Sequence, residues 1–215
     1  MNAITASSWP YPRWIAHRGA GKLAPENTLA AFRLGAQHGY RMFECDAKLS
    51  ADGVPFLLHD ATLERTTNGR GTGGDLPLGA LAQLDAGSWH SRAYAGEAVP
   101  TLEALARFCI ANGYFLNIEI KPTPGQEETT GRVVGETAAR LWQGQAVPPL
   151  FSSFKPDALA GAQATAAHIP RALLLDTLWD GCLDTARSLG CVAIVCNHAL
   201  WDAALVAQVK GMGMR

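Results

Sequence analysis

From Trp14 onward the chain alternates short apolar runs with amphipathic helical patterns, which restricts it to repeated βα units on a parallel sheet. Strand-length apolar runs fall at 14–17, 42–46, 115–121, 149–153, 172–175 and 192–196. Helices are expected at about 26–38, 101–112, 127–143, 156–166, 179–189 and 200–210. The first follows Pro25, offers Asn27 and Thr28 as caps, places Leu29, Phe32 and Ala36 on one face and stops at Gly39. The second starts at Thr101 after Pro100, buries Leu102, Leu105 and Cys109 and stops at Gly113. The stretch 47–99 breaks the rhythm with a hairpin signal and glycine-rich turns, and reads as an insertion after the second strand. If Ser50-Ala51-Asp52-Gly53 is its tight turn, facing residues sum to 103, which sets Glu44 opposite His59 and Asp46 opposite Leu57.

Three of these runs end on charge: His17-Arg18-Gly19, Glu44-Cys45-Asp46 and Glu119-Ile120-Lys121. Residues i and i+2 share a strand face, so Glu44 joins Asp46 and Glu119 joins Lys121, while Cys45 and Ile120 face away. Three carboxylates on otherwise buried strand ends repel one another and lose hydration unless a cation sits among them. All-oxygen ligation by Glu44, Asp46 and Glu119 points to one divalent cation, Mg²⁺ or Ca²⁺, rather than zinc. The plainer alternative pairs Glu119 with Lys121 and leaves the other two in solvated contacts. His17 and His59 suit proton transfer near neutral pH, and Arg18 and Lys121 suit phosphate oxygens. Three carboxylates, one divalent ion, Arg18 and Lys121 sum to +1, which a phosphodiester monoanion brings to zero.

The other polar strings carry less. Ser152-Ser153-Phe154 ends the fourth strand without a Gly-x-Ser-x-Gly elbow, which argues against a serine nucleophile. Asn197-His198 reads chiefly as a turn, Trp89 and Tyr94 as packing of the insertion, and the run 69–74 lacks the sequence of a P-loop.

At 215 residues, with 48% hydrophobic and 17% charged residues, the chain is expected to form a single domain, 1–215. A net charge of −1 gives no general attraction to nucleic acid or anionic lipid. No apolar stretch approaches the ~20 residues of a membrane span, and the first thirteen residues lack the basic and apolar regions of a leader. Five scattered cysteines suit buried free thiols, and together these features give a cytoplasmic reading.

In order, His17-Arg18-Gly19, Pro25-Glu26-Asn27-Thr28, Glu44-Cys45-Asp46, Asp52-Gly53 followed by His59-Asp60, Glu119-Ile120-Lys121 and Ser152-Ser153-Phe154 resemble the glycerophosphodiester phosphodiesterase family over about 14–197. The resemblance implies a TIM-type (β/α) barrel with a small insertion after the second strand. It implies metal-dependent hydrolysis of a small-molecule glycerophosphodiester to sn-glycerol 3-phosphate and an alcohol. Carried over, Glu44, Asp46 and Glu119 hold the cation, Arg18 and Lys121 the phosphate, and His17 and His59 move protons, while Glu26 and Asn27 fix the first loop. The mechanism such a site allows is attack by the neighbouring glycerol hydroxyl, then opening of a cyclic phosphate by water. Two other readings stand beside this one: another metal-dependent phosphodiesterase or phospholipase of the same barrel superfamily, and a non-catalytic remnant.

Family members normally continue with a Trp/Tyr-Thr-Val-Asn-like strand and an Asp-Gly-Ile-Ile-Thr-Asp-like strand, and neither follows Cys196. The expectation is therefore a barrel lacking its last two βα units. Six parallel strands would form an open wall with bare edges at 14–17 and 192–196, completed by further chain or by another molecule, with a homo-oligomer left open.

Overall fold

The structure, a computed structural model, describes residues 9–215. The expectation of a leaderless start falls largely on residues 1–8, outside the described residues. Six strands form one sheet: β1 (Met42–Leu49), β2 (Pro55–Leu57), β3 (Phe115–Ile120), β4 (Leu150–Ser153), β5 (Arg171–Leu175) and β6 (Ala193–Cys196). Their order is β2-β1-β3-β4-β5-β6, with β2 antiparallel to β1 and every other pair parallel. The helices are α1 (Leu29–Gln37), α2 (Leu78–Leu81), α3 (Leu102–Ala111), α4 (Glu127–Leu141), α5 (Pro156–Thr165), α6 (Cys182–Ser188) and α7 (Ala203–Gly211). The Thr28 side chain caps α1 and the Thr101 side chain caps α3, each accepting a backbone N–H three residues on.

Strand alternation divides the sheet into two unlike faces. Phe43, Cys45, Ala47, Leu116, Ile118, Ile120, Phe151, Leu173, Leu175 and Ile194 point outward into the main core beneath the helices. The opposite face begins with Met42, Leu150, Ala172 and Ala193, which pack against Tyr11 and Trp9 and so close the N-terminal end of the sheet. Tyr11 fixes that plug by donating its hydroxyl to the carbonyls of Pro148 (3.0 Å) and Pro149 (3.2 Å). Further along, this inner face is polar on β1, β3 and β4 and apolar on β5 and β6, where Leu174 and Val195 follow in the same register. The insertion has its own small core of Phe56, Leu58, Leu63, Leu81, Ala86 and Val99.

Three expectations need correction. The run 14–17 forms no extended strand: Ala16 alone bridges Phe43, and Trp14 is exposed. The chain turns at once through Arg18 and Gly19, both with positive φ, which ends the pairing. The hairpin register is off by one, since Ala47 faces Leu57 and pairs sum to 104. The loop holds three residues, Ala51 to Gly53, with Gly53 left-handed at φ 77°, so the turn adds a residue that a two-residue turn would not. Finally, the β6 edge is partly covered: Arg215 donates its N–H to the Val192 carbonyl (3.0 Å) and accepts from Ile194 N–H (2.7 Å).

Close packing ties α1 to the first loop. A Cβ on Gly35 would collide with the Gly19 carbonyl oxygen and approach the Phe43 ring. Gly35→Ala should therefore destabilise the protein by about 1–3 kcal/mol, the range for overpacking a tight contact. Chemical denaturation checks this, and an unchanged midpoint would show that the loop yields freely.

Candidate active site

The charged side chains of the candidate site come from the inner face of β1, from β3 and its end, and from the first loop and the insertion. Glu44 and Asp46 lie on the inner face of β1, and Glu119 lies on that of β3, paired in register with Asp46. All three residues are buried, and one carboxylate oxygen from each lies within 4.8 Å of the others. At an effective dielectric near 20, two unit charges this far apart repel by roughly 3–4 kcal/mol, so the trio needs compensation.

Part of that compensation comes from the first loop. Arg18 donates its backbone N–H to Glu44 Oε2 (2.9 Å), places Nε 3.3 Å from Asp46 Oδ2 and donates Nη1 to Glu26 Oε1 (2.8 Å). Asn27 donates Nδ2 to Asp46 Oδ2 (2.8 Å) and accepts the Asp46 N–H on Oδ1 (3.1 Å). Both residues hold left-handed backbone, Arg18 at φ 53° and Asn27 at φ 58°. For arginine this is an unfavourable conformation, kept here because the surrounding hydrogen bonds over-determine it.

The other part comes from β3 and the insertion. Lys121 Nζ lies 2.9 Å from Glu119 Oε1, 3.7 Å from Asp46 Oδ1 and 2.8 Å from His59 Nε2, and sits 5.6 Å from the Phe154 ring centre. His59 Nδ1 lies 2.6 Å from Asp60 Oδ1. With Asp60 ionised, Nδ1 carries the proton and Nε2 accepts from the Lys121 ammonium, which fixes the tautomer through the network. His59 thus meets Lys121 because the chain turns after β2, rather than by facing Glu44 across the hairpin. His17 stands apart, its side chain 64% exposed and its Nε2 3.9 Å from Glu44 Oε2.

The simple pairing of Glu119 with Lys121 does occur, yet Glu44 and Asp46 are not in solvated contacts. Glu44 Oε1 and Asp46 Oδ1 are fully buried and have no hydrogen-bond partner among the described residues. Burial, then Asp46 beside it, pushes the Glu44 carboxyl well above its usual range, and the same causes raise that of Glu119. Two orphaned acceptors in an oxygen-only donor set fit a hard divalent cation. The Arg65 guanidinium holds Asp60 below the ordinary carboxylate range.

A sequence profile of the glycerophosphoryl diester phosphodiesterase family matches residues 17–215. The chain belongs to that family. Its sheet is accordingly that of a TIM-type barrel, present here as six strands among the described residues. A phosphodiesterase of Oleispira antarctica, solved with the product sn-glycerol-3-phosphate, superposes with a TM-score of 0.89 at 36% identity, covering 99% of this chain and 85% of that one. The Bacillus subtilis protein YhdW is 46% identical over 126 residues, 57% of this chain and 51% of that protein. The glycerophosphodiester phosphodiesterase of Caldanaerobacter subterraneus is 40% identical over 126 residues, 57% of this chain and 52% of that enzyme. The chain thus spans about half the length of these curated relatives.

Sequence reasoning missed two charged members of the assembly. Lys48 lies two residues beyond Asp46 on the same face, a spacing that was there to read; its ammonium donates to the Lys121 carbonyl (3.0 Å), and burial lowers its pKa to about 8. Arg65 gave no local signal, because its partners Glu26 and Asp60 come from separate loops. The strings at 152–153 split by alternation. Ser153 donates to the Ile120 carbonyl (2.7 Å), while the Ser152 hydroxyl and Asn117 Oδ1 stay buried without partners among the described residues. Asn197 caps a short turn and is exposed, as is His198.

Raised folded-state values for Glu44 and Glu119 mean that the metal-free protein binds more protons than the unfolded chain. Their contribution to stability should be full below about pH 4.5 and be lost as pH rises through the folded-state values, with no further loss above them. A divalent cation competes with these protons. We therefore expect Mg²⁺ or Ca²⁺ to raise Tm over an EDTA control at about pH 8, by an amount that shrinks near pH 5.5 and vanishes in Asp46→Asn. An equal metal response in Asp46→Asn would show that the ion binds elsewhere.

Proposed function

We propose that this chain is the catalytic part of a metal-dependent glycerophosphodiester phosphodiesterase, which releases sn-glycerol 3-phosphate and an alcohol. The observation that carries the reading is the buried trio Glu44, Asp46 and Glu119, with orphaned oxygens, flanked by Arg18 and Lys121. Charge balance supports it. Five carboxylates (Glu26, Glu44, Asp46, Asp60, Glu119) against four cations (Arg18, Lys48, Lys121, Arg65) leave −1 with neutral histidines. That equals the balance of the smaller set read from the sequence, so one divalent ion and one phosphodiester monoanion again bring the sum to zero.

In this reading the trio holds Mg²⁺ or Ca²⁺, which when bound supplies Lewis-acid stabilisation of phosphoryl charge and acidifies the attacking hydroxyl. Arg18 offers its planar fork to the non-bridging oxygens, and Lys121 a point charge beside them. His59 and His17 divide the two proton transfers, one from the attacking oxygen and one to the departing alcohol. Asp60 holds His59 with its unprotonated Nε2 turned toward Lys121. The substrate is a small molecule, and no helix among the described residues is long and apolar enough to cross a membrane. A cytoplasmic setting belongs to the same proposal, supported by five cysteines that all remain free thiols.

Purified chain should release sn-glycerol 3-phosphate from glycerophosphocholine or glycerophosphoethanolamine, lose activity in EDTA and regain it with Mg²⁺ or Ca²⁺. His59→Ala should lower kcat by about 10²–10⁴-fold while leaving the metal-induced rise in Tm intact. Turnover of bis(p-nitrophenyl) phosphate alone would favour another phosphodiesterase of the superfamily. Metal binding without turnover of any of these would favour a binding module.

A further inference from the structure

Arg65 touches none of the trio, yet its guanidinium joins the two loops that carry Arg18 and His59. Nη1 and Nη2 form a two-pronged contact to Glu26 (2.9 and 2.8 Å). Nε and Nη2 form a second one to Asp60 (2.5 and 3.0 Å). Four of the five guanidinium N–H groups are thereby used on two carboxylates. Each carboxylate holds a site residue with an oxygen it also presents to Arg65: Glu26 Oε1 accepts from Arg18 Nη1, and Asp60 Oδ1 from His59 Nδ1. Traced onward, His59 meets Lys121, Lys121 meets Asp46, and Asp46 meets Arg18. The result is a closed ring of seven side chains, six of them alternately cationic and anionic with His59 between Asp60 and Lys121, and Arg65 lies opposite the metal-facing carboxylate.

We propose that Arg65 is a positioning residue that locks the phosphate-binding Arg18 and the proton-transferring His59 into one fixed geometry. The inference rests on the roles proposed above for those two residues. A guanidinium is required because only a planar fork meets two carboxylates with paired bonds at once; a lysine ammonium is a single point. The Arg65 side chain is 44% exposed, and its removal leaves Glu26 with Arg18 and Asp60 with His59 as partners. Loss of Arg65 leaves Glu26 and Asp60 free to swing. Arg18 and His59 then lose their alignment without being altered themselves.

The test uses the full chain with Arg65→Ala and Arg65→Lys. Arg65→Ala should lower kcat/KM by about 10–100-fold, the usual effect of deleting an outer partner of a site residue, with both a raised KM from Arg18 and a lowered kcat from His59. Arg65→Lys should recover only a minor fraction. Guanidinium chloride at about 30 mM, far below denaturing concentrations, should restore much of the Arg65→Ala activity and none of that of Arg18→Ala. Independently of turnover, the His59 Nδ1–H proton, assigned by its absence in His59→Gln, should give a downfield NMR signal in the wild type that broadens or shifts in Arg65→Ala and returns with guanidinium. A wild-type chain that hydrolyses no glycerophosphodiester would overturn the proposed function, while the NMR signal would still judge Arg65. Arg65→Ala or Arg65→Lys with more than half the wild-type kcat/KM, or an unchanged His59 signal in Arg65→Ala, would overturn the positioning role.

Discussion

Mutual repulsion among Glu44, Asp46 and Glu119 is the constraint around which the rest of the site is arranged. Their oxygens lie within 4.8 Å of one another in a buried setting, where neither water nor distance relieves the charge. The fold answers with donors from two directions, Arg18 and Asn27 from the first loop and Lys121 from the end of β3, while His59 of the insertion holds Lys121 from behind. Each answer has a structural cost. The first loop takes two non-glycine residues into left-handed backbone, and Gly35 must lack a side chain so that α1 can lie against the Gly19 carbonyl.

The sheet separates these demands from stability. Its outer face is apolar along β1, β3, β4, β5 and β6 apart from Ser153 and the buried Arg171, and packs beneath the helices, where α4 and α5 approach closely through Gly131 and Gly161. Its inner face is sealed at the N-terminal end by Tyr11 and Trp9 and becomes polar only beyond that plug. Charge is confined to β1 and β3, whereas β5 and β6 present Leu174 and the partly exposed Val195 at the matching level. The barrel interior is therefore lopsided, with a charged wall facing an apolar one.

How much of this was legible follows from the range of each signal. Alternation within a strand is local, so the sharing of a face by Glu44 and Asp46, and by Glu119 and Lys121, could be read directly. The cap at Thr28 and the buried positions Leu102, Leu105 and Cys109 were equally local. The hairpin register failed because one residue in a turn reverses every facing pair, and whether Gly53 closes a two- or three-residue loop is decided by hydrogen bonding from Ser50 and Val54. The stretch 14–17 looked like a strand because it is apolar, yet the immediate turn at Arg18 leaves only Ala16 able to pair. Arg65 was invisible for a different reason. Its meaning lies in Glu26, 39 residues away, and no local pattern records such a contact.

The lengths of the contacts around Asp46 also indicate how the site accommodates a change in charge. Arg18 and Lys121 approach Asp46 at 3.3 and 3.7 Å, longer than their contacts to Glu26 (2.8 Å) and to His59 (2.8 Å). Arg18 is thus anchored outside the trio by Glu26, and Lys121 both by Glu119 within it (2.9 Å) and by His59 outside it. Under the proposed function, a cation held by Asp46 would compete first with these looser contacts, while Glu26 and His59 would keep Arg18 and Lys121 nearby. On that proposal, Arg18 and Lys121 would then offer their charge at the rim of the trio to the phosphodiester anion.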